Sequence, residues 1–201
     1  MNPGHLLRAL VLPLLLLVLP PAVADDVEAR DGAFFIELPA SANFQQVVAR
    51  VQDEIAAQNW EVLQTVDIDE GLRKNYQIDI QNKLVYACKS QYLAQAIKED
   101  PHISLIVPCR FAIYRVGPTG EAVSPGGEDC RGGKIVVGVA DPVHEARALG
   151  IQQREAATIA SRELRTILQG VADAFKRDAG AAPAAAPPQK RSAAPCDEAA
   201  G

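Results

Sequence analysis

LVYACKSQYLAQAIKEDPHISLIVPCRFAIYR, residues 84–115, is the stretch on which the architecture turns. Residues 84–88 are apolar and β-favouring, a short helical pattern opens at Ser90, whose hydroxyl suits an N-cap, and the helix ends before Pro101. Strand character resumes at 103–107 and again at 111–116. Pro108 between them has no amide to give a ladder, so it belongs at an edge, a bulge or a strand entry. A chain that runs along a strand, back through a helix and out along a second strand returns Cys109 toward the end where Cys88 sits.

Working outward, residues 34–38 (FFIEL) read as a strand closed by Pro39. A helix follows, capped by Asn43, with Phe44, Val47, Val48, Val51 and Ile55 at three-and-four spacing and Asn59 in the left-handed position that stops it. Residues 60–66 are a second strand. Residues 67–82 are mixed, and we read a loop or short helix and then a weak edge strand carrying Tyr76, Ile78 and Ile80. Downstream, 117–120 is a turn, 120–133 a glycine-rich connection, and 134–139 a strand expected to pair antiparallel with 111–116. Asp141-Pro142 starts a helix that Gly150 ends. The last helix has an unbroken apolar face of Ile159, Ala160, Leu164, Ile167, Leu168, Val171, Ala172 and Phe175. The expected class is α+β: a single sheet of about five strands, mostly antiparallel, with helices packed on one face.

The ends differ in composition. Residues 1–24 combine Arg8, an apolar run over 9–19 and small residues at Ala22 and Ala24, the pattern of a cleavable signal peptide, and the run is too short to span a bilayer. A periplasmic address is expected. Residues 25–33 form a charged leader, 34–178 a single domain, and 179–201 an Ala/Pro-rich tail expected to be disordered. Cleavage would remove one base and no acid, which takes the net charge from −5 to −6. So acidic a chain has no basic footprint, and no nucleic-acid partner and no membrane span after cleavage are expected.

The ordered set made by the 44–59 helix, Trp60-Glu61-Val62-Leu63, LVYAC, Asp100-Pro101, Ile106-Val107-Pro108 with Arg110, and IVVGVADP resembles the bacterial DUF 302 family over roughly residues 34–151. The resemblance implies a small α/β domain, often found as a dimer, with no established activity. Here Ala87-Cys88-Lys89 stands where such domains tend to have a Gly-Asn-Pro turn, and a second cysteine follows Pro108.

Four cysteines, Cys88, Cys109, Cys130 and Cys196, allow three fully paired connectivities in an oxidising compartment. The strand path favours Cys88 with Cys109, leaving Cys130 and Cys196 free or linked between molecules, and two buried free thiols are the alternative. A redox or metal pair, joined by His102 or His144, is the sharper reading, yet no C-x-x-C and no close Cys/His spacing supports it. Lys89 and Arg110 are the cations placed to lower a thiol pKa. Asp67, Asp69 and Glu70 fail the calcium-loop pattern, and GEDCRGGK, residues 127–134, fails the phosphate-loop pattern. Trp60, Tyr76, Tyr86, Tyr92 and Tyr114 are either ordinary packing residues or the lining of a pocket, with Trp60, Tyr86, Tyr92 and Tyr114 as candidate pocket aromatics. No cofactor motif is complete. The sequence therefore favours a non-enzymatic ligand-binding or assembly module, whose small ligand or protein partner it does not name, over a thiol-based redox or metal-handling protein using Cys88 and Cys109.

Overall fold

The computed structural model describes residues 25–78, 80–123, 133–152 and 154–181. In chain order the elements are β1 (Glu28–Arg30), β2 (Ala33–Pro39), α1 (Phe44–Ala57), β3 (Glu61–Asp67), α2 (Ile68–Tyr76), β4 (Asn82–Cys88), α3 (Ser90–Glu99), a 3₁₀ turn (Pro101–Leu105), β5 (Cys109–Val116), β6 (Lys134–Ala140), α4 (Pro142–Ala148) and α5 (Glu155–Ala181). The strands form one antiparallel sheet in the order β1-β2-β6-β5-β4-β3. The expected α+β class is what the structure has.

The near-continuous apolar run of β6 fits its place between β2 and β5, where residues 135–139 are all buried. On β5 the period of two separates Phe111 and Ile113, fully buried, from Arg110, Ala112 and Tyr114 on the other face. Against the buried face lie α1, through Phe44, Val47, Val51 and Ile55, and α5, through Leu164, Ile167, Leu168 and Val171. Asn43 caps α1 by accepting from the Gln46 amide at 3.0 Å, and Asn59 has φ of 57°, as the sequence predicted for both. A second, smaller cluster joins α3, the 3₁₀ turn, α4 and α5 through Ala96, Ile103, Ala146, Ile151, Ala156 and Ala157.

Four expectations change. Residues 103–107 are not a strand: Pro101 opens a 3₁₀ turn whose first amides are met by Asp100, which accepts from the His102 amide at 2.9 Å, and this local bond replaces ladder pairing. The Val107–Pro108 peptide is cis, and β5 begins just after it. The edge strand expected around Tyr76–Ile80 is absent among the described residues, because α2 runs to Tyr76 and is stopped by Gln77 at φ 58°. Ser90 begins α3, but Lys89 holds the cap position and no side-chain bond caps it. The charged leader contains a sixth strand, β1, turned onto β2 by Asp31-Gly32 at φ 50° and 77°.

The leader is also tied to α5. Asp25 pairs with Arg165 at 2.6 Å and Asp26 with Lys176 at 2.5 Å. That helix extends to Ala181, past the boundary expected at 178.

Candidate functional site

The cross-strand register decides what Cys88 and Cys109 can do. Cys109 stands opposite Ala87, and Cys88 stands opposite Glu61 on β3. Ala87, the residue directly opposite Cys109, is buried in the main core, and Cys88 stands one position beyond it at the strand's end. Cys109 packs on the main core beside Ala87. The return path expected from the sequence is therefore real, but it ends one residue out of phase. Both cysteines are free thiols. Burial pushes the Cys109 thiol up to about 12, helped by Cys88 and Glu145, and burial followed by Glu61 raises Cys88. Both shifts disfavour the thiolate, the form a nucleophilic or redox cysteine needs. Cys130 and Cys196 lie outside the described residues.

Lys89, the cation expected beside Cys88, is committed elsewhere. Its ammonium donates to Glu163 Oε2 at 2.9 Å and Oε1 at 3.2 Å, and to the Gln58 carbonyl at 3.0 Å. Glu163 sits on α5 between Ala160 and Leu164, at the flank of the apolar face, and also accepts from Trp60 Nε1 at 2.7 Å and the Tyr92 hydroxyl at 2.5 Å. Burial raises the Glu163 carboxyl, but the bonds from Tyr92, Lys89 and Trp60 outweigh it and hold it below the usual range. The Tyr92 hydroxyl is raised, first by its bond to that carboxylate and then by burial. Desolvation works to lower Lys89, yet Glu163 keeps it above its ordinary value. The Trp60 and Tyr92 rings meet edge to face at 6.2 Å, and the Lys89 ammonium lies 4.9 Å from the Tyr92 centroid.

This four-residue frame stands at the edge of a cavity. The cavity, about 40 Å³, lies between α3, α5 and the ends of β4 and β5, and Trp60, Tyr92, Leu93, Cys109, Ala157 and Ala160 help to line it. Its walls are almost wholly apolar, and Cys88 and Lys89 stand at its margin. The four expected pocket aromatics thus divide: Trp60 and Tyr92 share this cavity, whereas Tyr86 and Tyr114 lie on the face turned away from α1 and α5, beside two separate hollows. Tyr76 is 71% exposed and belongs to none of them. His102 is likewise exposed, its ring nitrogen 2.8 Å from Asp100.

Among the described residues no three His, Cys, Asp or Glu side chains gather into a metal-holding group, and no helix is long and apolar enough to cross a membrane. Sequence reasoning missed Glu163 and Glu145 altogether. Glu163 left one trace, a carboxylate three residues after Ala160 and next to Leu164 on an otherwise apolar stripe.

Residues 36–124 match the model of the family described as Domain of unknown function DUF302. The resemblance drawn from LVYAC, Asp100-Pro101 and Ile106-Val107-Pro108 is thereby supported across β2 to the end of β5. The crystal structure of an uncharacterized conserved protein DUF302 from Bacillus stearothermophilus is similar, with a TM-score of 0.57 at 14% identity over 71% of this chain and 99% of that one. At that identity the likeness concerns the fold. No curated protein matches.

Proposed function

We propose that this domain is a non-enzymatic binding module whose site is the apolar cavity framed by Trp60, Lys89, Tyr92 and Glu163. The observation that carries this reading is the pairing of unfilled apolar space with a fixed polar margin. Interiors pack to crystal-like density, so a void left beside two large aromatic rings leaves their surfaces without contacts that a ligand would supply. A volume of about 40 Å³ has room for about three waters. Water finds few polar partners there, so a very small apolar group, of the size of xenon or a two- or three-carbon chain, is the favoured occupant. The space is well short of the roughly 150 Å³ in which an apolar cavity takes benzene. The raised thiols of Cys88 and Cys109 argue against nucleophilic chemistry at the same place. The address proposed with this role is the exported compartment, on the strength of the apolar run over residues 9–19 and Ala22-Val23-Ala24.

Trp60 is the only tryptophan in the chain, so its fluorescence reports on the cavity directly. Equilibration with xenon or propane under pressure should change Trp60 emission and raise the melting temperature. At a hundredfold excess over Kd the stabilisation is about 2.7 kcal/mol. Ala157→Leu, which fills the cavity from α5, should abolish both responses while still melting cooperatively. Equal responses in the variant and the parent, or none in either, would remove the cavity as the site.

A further inference from the structure

On the side of the sheet turned away from α1 and α5, a second cavity of about 240 Å³ lies between the start of β5 and α4. Tyr86, Leu105, Pro108 and Ala140 form much of its wall, and Arg110 and Glu145 supply its charge. Arg110 reaches it because β5 alternates: Phe111 faces the core, so the preceding side chain faces away. Glu145 reaches it because Asp141 fixes the start of α4 by accepting from the Val143 amide at 3.0 Å, with Pro142 in the first turn. That sets Glu145 back over Ala140.

The charges here behave unlike most others near the sheet. Lys134 pairs with Glu37, Lys83 with Asp67 and Lys89 with Glu163. Arg110, exposed, and Glu145, partly buried, line one cavity and feel each other's charge, but among the described residues no hydrogen bond or ion pair joins them. Glu145 is partly buried, and desolvation raises its carboxyl while Arg110 draws it back down. A partly buried carboxylate held only by charges at a distance is costly, and an exposed guanidinium at a cavity mouth is a ready fork for another carboxylate. One molecule satisfies both only if it carries an anion and a cation together.

We propose that this cavity binds a zwitterion, an α-amino acid with an apolar side chain, its carboxylate on Arg110, its ammonium on Glu145 and its side chain against Tyr86, Leu105 and Pro108. The volume suits such a molecule, and Leu105, 72% exposed, gives the apolar rim. The two cavities share Ile106, Val107 and Cys109 in their walls, but neither Arg110 nor Glu145 lines the one beside Trp60, so the charges belong to this site alone.

Isothermal titration of the full chain with L-leucine and L-phenylalanine tests it, with 4-methylpentanoate and 3-methylbutylamine as leucine analogues stripped of one charge each. We expect leucine or phenylalanine to bind and each single-charge analogue to bind leucine's site about tenfold more weakly or worse. Arg110→Gln and Glu145→Gln should each lower amino-acid affinity by a similar factor. Arg110→Gln should spare the amine, Glu145→Gln should spare the carboxylate analogue, and both variants should keep the parental response of Trp60 to xenon or its absence. The proposal is overturned if neither amino acid binds at millimolar concentration, if leucine binds no better than 4-methylpentanoate, or if both variants bind like the parent while melting as it does.

Discussion

Glu163 shows what one carboxylate contributes when three donors from distant parts of the chain converge on it. Trp60, Lys89 and Tyr92 stand 103, 74 and 71 residues away in sequence, so the cluster pins α5 to the end of β4 and the start of α3. Hydrogen bonds to a charged acceptor contribute about 1.5–3 kcal/mol each when a partner is removed. Glu163→Gln keeps the shape but loses the charge, and urea denaturation should find it about 2 kcal/mol less stable at neutral pH. The pH dependence has a definite sign. The folded carboxyl sits below its ordinary 4.5, so its contribution is present above that value and is lost as the pH falls through the depressed folded pKa. The variant should lack that part of the acid slope, and parallel acid profiles for the two proteins would assign the cluster no charge-dependent role.

At the scale of elements, the β1–β2 hairpin rests on one glycine. Gly32 has φ of 77°, and a β-carbon there would run into the His144 ring, so Gly32→Ala meets backbone strain and crowding together. We expect a loss of about 1–3 kcal/mol, with hydrogen exchange rising first at the amides of β1. Unchanged protection at residues 28–30 would show that the leader is held by Asp25 and Asp26 on α5 rather than by its turn. The same hairpin marks the limit of what the sequence discloses. Asp31-Gly32 is a strong two-residue turn signal, but Glu28-Ala29-Arg30 has no apolar alternation because all three side chains are exposed on an edge. Periodicity reports burial, so α1, α5, β5 and β6 were legible and β1 was not. Residues 103–107 failed for the opposite reason: Ile103, Leu105, Ile106 and Val107 look like a strand, and only the bond from Asp100 to the next turn decides against it. The site followed the same rule. Trp60 and Tyr92 were visible by residue type, whereas Glu163 and the Arg110–Glu145 pair depend on register and on helices that meet only in three dimensions.

Across the whole molecule, the sheet order separates what is contiguous in sequence from what is contiguous in space. The family match covers residues 36–124, but β6, residues 134–140, lies between β2 and β5 and pairs with both. Without β6, strand β2 has no neighbour but the three-residue β1, and β5 presents a bare edge. The same truncation removes α5, whose Leu164, Ile167, Leu168 and Val171 cover the buried face. Each of those side chains is worth about 1.5–3 kcal/mol of transfer free energy when buried, so their loss alone exceeds much of the roughly 5–15 kcal/mol by which domains are stable. A fragment of residues 25–124 should therefore show no cooperative thermal transition and poor amide dispersion in a nitrogen-proton correlation spectrum. Residues 25–181 should give both, because they hold all six strands and α5. A cooperative melt from the shorter fragment would mean that the β3-β4-β5 ladder with α1 folds alone, and that β6 and α5 dock onto a finished unit instead of completing it.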